Sequence, residues 1–146
     1  MADQCSKSHE LNVQSQGANL AKVRNFVADV AKDCGFEDNV IYDIKVAVGE
    51  AIANAMEHGS PLGEANHVRV TCRCEGDNLN IKVSDEGVFK RAFPIPEEAV
   101  SYRGHGILLM LALMDKVSID ESAHGTTVSL TKNFRARVTK EATKTA

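Results

Sequence analysis

The sequence predicts an α+β domain, a two-layer sandwich in which a mixed, mainly antiparallel sheet carries helices on one face. Three observations predict it. Two long segments repeat their apolar residues at three- and four-residue spacing, the period of a helix with one buried side. Two pairs of shorter segments alternate apolar and polar residues around glycine-containing turns, as hairpin strands do. The helical segments stand next to each other instead of alternating with every strand, which groups them in one layer.

The elements follow in order. Glu10–Gln14 alternates and reads as a short first strand. Gly17 to Cys34 reads as a helix whose apolar side carries Leu20, Val23, Phe26, Val27, Val30 and Ala31, and Gly35 stops it. Asp38 is a suitable N-cap for a second helix over Asn39–Glu57, with Ile41, Ile44, Val48, Ile52, Ala55 and Met56 on its apolar stripe. Val68–Cys74 and the alternating Leu79, Ile81 and Val83 form a hairpin around Gly76-Asp77-Asn78, with a loop of moderate length. Asp85 to Arg103 lacks a period, and Pro94 and Pro96 forbid a regular helix or central strand there, which marks a functional lid. A short apolar helix over Ile107–Met114 follows Gly104-His105-Gly106. A second hairpin, Val117–Asp120 with Thr126–Leu130, turns around Ala123-His124-Gly125.

At 146 residues the chain fits one domain, with no repeat, low-complexity tract or linker. A chain of this size buries roughly two-thirds of its unfolded surface and needs no disulfide or metal to hold it. With no Trp and few aromatics, its core must be aliphatic. The expected division is a flexible N-terminus over 1–9, a domain over 10–132 and a flexible basic tail over 133–146. The basic residues Lys132, Arg135, Arg137, Lys140 and Lys144 read as a solvated end. A net charge of −3 argues against a general nucleic-acid binder. No apolar leader segment and no run of membrane-spanning length occurs, so the cytoplasm is the expected compartment, without a membrane partner. The cysteines fit that compartment: Cys5 in the flexible end, Cys34 ending a helix, and Cys72 and Cys74 on one face of a strand, all as free thiols without metal-ligand spacing.

Four stretches carry candidate chemistry. Glu50, Asn54 and His58 stand four residues apart on a helix face separate from the apolar stripe, among small alanines that let a ligand approach. An Asn carbonyl is a hard ligand suited to Mg²⁺, and a carboxylate one turn away can accept a hydroxyl proton. Asp85, at the end of a strand and followed by Glu86-Gly87, can accept an amino proton from a base. Arg103-Gly104-His105-Gly106 exposes backbone N–H groups at a helix start, where anions bind. It is neither a Walker A loop nor a Rossmann fingerprint. Thr126, in Gly125-Thr126-Thr127-Val128, can bond a base or a water. Each stretch alone also fits an ordinary turn or a solvent-facing helix side, while their order and spacing together are specific.

That succession resembles the Bergerat ATP-binding fold shared by gyrase-type ATPases and histidine kinases. GEAIANAMEHG (49–59), RGHGILLMLALMDKV (103–117) and the short length look like the anti-sigma-factor serine kinases of that superfamily. The resemblance runs from about Leu11 to Lys132. It implies ATP/ADP and Mg²⁺ as cofactors, with Asn54 as metal ligand and Glu50 as general base toward a serine hydroxyl. Asp85 would read adenine with help from Thr126, while Gly87 clears space beside the base. Gly104, His105 and Gly106 would wrap the phosphates, with Arg103 near the γ-phosphate. His58 would have a structural or helix-capping role. The implied partners are a sigma factor and an anti-anti-sigma protein of the STAS type, with no direct nucleic acid, and the implied assembly is a homodimer. One departure stands out: Phe89 occupies the second glycine position of the family's DxGxG box. It favours one alternative, a nucleotide-binding regulatory module without kinase turnover; a further alternative is a related switch kinase acting on a signalling scaffold.

Overall fold

Alternation along the strands decides which face of the sheet is buried, and the helices cover that face. The computed structural model describes residues 7–58, 66–85, 106–122 and 125–133. Five strands form one sheet: β1 (Lys7–Gln14), β2 (His67–Glu75), β3 (Asn78–Asp85), β4 (Lys116–Ser122) and β5 (Gly125–Asn133). Their order is β1-β2-β3-β5-β4, and all four pairings are antiparallel. The parallel component expected from the sequence is thus absent among the described strands. Val68, Val70, Cys72, Leu79, Ile81 and Leu130 are all fully buried, and they lie at every second position of their strands. The predicted first strand is longer at its start, beginning at Lys7, because its edge pairs with β2 as far as Cys74.

Two long helices supply the second layer, α1 (Leu20–Asp33) and α2 (Asp38–His58), with a short helix, α3, over residues 106–113. None of the described helices is long and apolar enough to cross a membrane. The predicted first helix splits: Gly17–Asn19 is a 3-10 turn and α1 proper starts at Leu20. Gly35, at φ +97°, ends α1 as expected. The amide of Phe36 donates to Ala31 O at 3.2 Å and that of Gly35 to Lys32 O at 3.0 Å, which closes the last turn as a Schellman motif. The next helix begins one residue earlier than predicted. The amides of Val40 and Ile41 both donate to Glu37 O, so Asp38 stands inside the first turn and Glu37 takes the capping position. Gly49 leaves room for the Arg24 side chain to cross from α1, at 3.4 Å from where a Cβ would stand.

The hairpin between β2 and β3 turns on only Gly76 and Asp77, tighter than the moderate loop expected, with Gly76 at φ +56°. Lys132 departs from its reading as part of a solvated tail. It lies in β5 and its Nζ donates to Leu113 O at 2.7 Å, satisfying an end carbonyl of α3. Met110 of α3 is fully buried, so the helix is held both by its apolar side and by its last turn.

Burial of Cys72 pushes its thiol from the ordinary 9.0 up to about 12. The folded chain keeps this proton where the unfolded chain releases it. The corresponding stability is therefore intact below pH 9.0 and is lost as pH rises toward about 12. Urea unfolding from neutral to alkaline pH should show wild type losing stability more steeply than Cys72→Ala, by up to about 1.4 kcal/mol per pH unit. Parallel slopes would contradict this ionisation.

Candidate active site

Two small clusters of polar side chains stand out, one on α2 beside the start of α3 and one at the ends of β3 and β5. The first belongs to α2. Glu50 and Asn54 are one turn apart and half-buried, flanked by the buried Ala51 and Ala55. Gly106, the buried first residue of α3, comes against both. A Cβ added there would stand 3.3 Å from Glu50 Oε2 and 3.5 Å from Asn54 Nδ2. The start of α3 thus lies in contact range of the carboxylate and the amide together. The arrangement places a helix N-terminus, a carboxylate and an amide around one spot, which suits an anion, a proton transfer and a hard cation.

The second cluster joins the ends of β3 and β5. Asp85 follows the parity of the buried Val83 and so leans to the helix side, and Thr126 follows that of the buried Val128. The Thr126 amide donates to Asp85 Oδ1 at 3.1 Å, which sets the orientation of the carboxylate. On the opposite face, Ser84 Oγ and Thr127 Oγ1 share a hydrogen bond of 3.0 Å and hold the strand ends together.

The structure therefore brings Glu50, Asn54 and Gly106 together, and separately Asp85 and Thr126. Gly87, Phe89, Arg103, Gly104 and His105, and the side chain of His58, lie outside the described residues. One residue of the site was missed in the sequence. Gly125, at φ +137°, sits so close to β3 that a Cβ there would overlap the Asp85 carbonyl oxygen and stand 3.0 Å from Asp85 Oδ1. Its place beside Thr126 was visible, but its contact with a residue forty positions earlier was not.

In the first cluster Asn54 offers a side-chain oxygen, a donor type that suits a hard cation. Among the described residues no three His, Cys, Asp or Glu side chains converge on a metal position. A cation beside Asn54 would take its other ligands from phosphate and water, as Mg²⁺ commonly does.

Comparison with known proteins places the chain in a family. The chain matches the histidine kinase-like ATPase domain over residues 13–132. It is 33% identical to the serine-protein kinase RsbW of Bacillus licheniformis across 75% of each chain. It is also 30% identical to the anti-sigma F factor of that organism, across 86% of this chain and 93% of the relative. Its fold is similar to the crystal structure of the RsbU and RsbW domains of a Mycobacterium tuberculosis protein, with a TM-score of 0.66 and 22% identity. That likeness covers 87% of this chain but only 32% of the longer one. With the family domain spanning all three helices and nearly all of the sheet beyond β1, and relatives at this identity along most of their length, the chain belongs to the histidine kinase-like ATPases, in the branch of the anti-sigma serine-protein kinases.

Proposed function

We propose that this protein holds a sigma factor and, with Mg-ATP, phosphorylates a serine of an anti-anti-sigma partner of the STAS type. The observation that supports the proposal is the approach of Gly106 to Glu50 and Asn54, which sets the start of α3 against a carboxylate and a side-chain amide. The start of α3 presents backbone N–H groups to the phosphates. Asn54 offers its side-chain oxygen to Mg²⁺, and a bound Mg²⁺ neutralises charge on the transferring phosphate. Glu50 accepts the proton of the serine hydroxyl as its oxygen attacks phosphorus. Asp85, oriented by the Thr126 amide, accepts a hydrogen bond from the adenine amino group. Arg103, Gly104 and His105 extend the phosphate contacts, and Gly87 makes room for the base. ADP is then the product that remains, and a homodimer in the cytoplasm is the working assembly.

Calorimetric titration with ATP, with and without Mg²⁺, tests the site. Wild type should bind more tightly with Mg²⁺, and Asn54→Ala should lose that gain through the missing ligand. Equal magnesium dependence in both proteins would remove Asn54 from the metal.

Phe89, in place of a glycine in the box after Asp85, supports a second reading, a nucleotide-bound module that captures partners without turnover. Labelled ATP incubated with a serine-bearing partner separates the two, because only a kinase transfers the label.

A further inference from the structure

α1 and α2 leave a cleft between them that takes no part in the candidate active site. It has a volume of about 300 Å³ and is lined by Ala21, Arg24 and Asn25 of α1 and by Tyr42, Lys45 and Val46 of α2. Helical spacing makes these walls. In each helix the three residues stand at i, i+3 and i+4, and so share one side. On α2 that side is turned away from the buried Ile44, Ala47 and Val48. A space of this volume is at the small end of the clefts that hold ligands.

The walls carry one sign of charge. Arg24 and Lys45 are cations, the Asn25 amide and the Tyr42 hydroxyl add further donors, and no carboxylate lines the cleft. Asp29, one turn beyond Asn25, and Asp43, next to Tyr42, are not among its walls. Both cationic residues are half-buried, yet among the described residues the side chain of neither enters an ion pair or a hydrogen bond. Arg24 is laid along the other helix: its Cδ is 3.4 Å and its Nη1 3.8 Å from where a Cβ on Gly49 would stand. The guanidinium is thus placed beside α2 with its donors unused. Two like charges at one cleft repel each other, and a bound anion relieves that repulsion. Tyr42, Ala21 and Val46 supply apolar surface next to the charges.

We propose that this cleft binds a small phosphate ester, with the phosphate held by Arg24 and Lys45 and the organic body against Tyr42 and Val46. The Arg24 fork suits two phosphate oxygens at once, and the Lys45 ammonium acts as a point charge. The Asn25 amide and the Tyr42 hydroxyl donate to the oxygens that remain. The site is separate from the cluster at the start of α3, because Glu50 and Asn54 stand on another side of α2 and neither lines the cleft.

The test is an NMR titration of the isotope-labelled full chain with phenyl phosphate, with inorganic phosphate and, as a control, with phenol. Phenyl phosphate should give saturable shifts at the Arg24 side-chain N–H and at the amides of Asn25, Lys45 and Val46. Inorganic phosphate should move the same signals with weaker affinity, and phenol should give no saturable shift. Arg24→Ala should weaken phenyl phosphate by about tenfold or more, through the loss of a charge-assisted bidentate contact. Arg24→Lys should retain part of the affinity, since it keeps the charge but not the fork. Asn54→Ala should leave these shifts in place, which separates the cleft from the nucleotide cluster. Shifts confined to the start of α3 and to the neighbourhood of Asn54, shifts that rise without saturation, or equal affinity in Arg24→Ala overturn the assignment. The wild-type titration locates the site even if a variant folds poorly.

Discussion

Glu50→Gln is expected to bind Mg-ATP about as well as wild type and to transfer phosphate ~10²–10⁴-fold more slowly, the usual contribution of a general base. The substitution keeps the length and shape of the side chain. Packing against Gly106, where Glu50 Oε2 already lies at the limit of a Cβ contact, is therefore preserved. What is lost is the ability to take the proton from an attacking hydroxyl. Single-turnover transfer to a serine-bearing partner measures the chemical step, and calorimetry on the same sample measures binding. A loss well below tenfold with intact binding would exclude Glu50 as the base, leaving positioning and charge neutralisation to carry the reaction. A loss of both binding and transfer would mean that Glu50 holds the nucleotide or the metal instead.

Gly125→Ala is expected to destabilise the chain by ~2–4 kcal/mol, from backbone strain and overlap combined. It should also weaken ATP binding at temperatures where the protein is still folded. The backbone at φ +137° is one that residues with a side chain rarely adopt, and the added methyl group would overlap the Asp85 carbonyl oxygen. Relief requires the ends of β3 and β5 to separate, which breaks the Thr126 amide bond to Asp85 Oδ1 and turns the carboxylate away. Gly76→Ala is the matching control. That glycine also has positive φ, +56°, but nothing lies within 4 Å of an added Cβ, so only the conformational cost of roughly 1 kcal/mol applies. Urea unfolding of the two variants gives the comparison. Equal losses would show that the contact with Asp85 adds nothing to the strain of the turn.

The contrast between these two glycines marks how far a sequence can be read. Gly76 stands between two alternating segments, and its turn follows from its immediate neighbours. Gly125 opens β5, and its importance comes from Asp85, which reaches it only when β5 pairs with β3. The same division runs through the candidate site. Glu50 and Asn54 share a helix face because they are four residues apart, and local periodicity suffices for that. Their meeting with Gly106 depends on how a chain segment more than fifty residues later returns to α2.

The sequence by itself determined the two long helices, the stop at Gly35, the alternation of β2 and β3, and the order of the ATP-binding motifs. These depend on periods of 3.6 and 2 and on turn residues, all of which act over a few neighbours. The tertiary structure alone decided the placing of β5 between β3 and β4, the antiparallel pairing of β1 with β2 and of β3 with β5, and the docking of Lys132 on the last turn of α3. A strand's own residues say which of its faces is apolar but not which neighbour it pairs with. That choice is made by the burial of the whole sheet against α1 and α2.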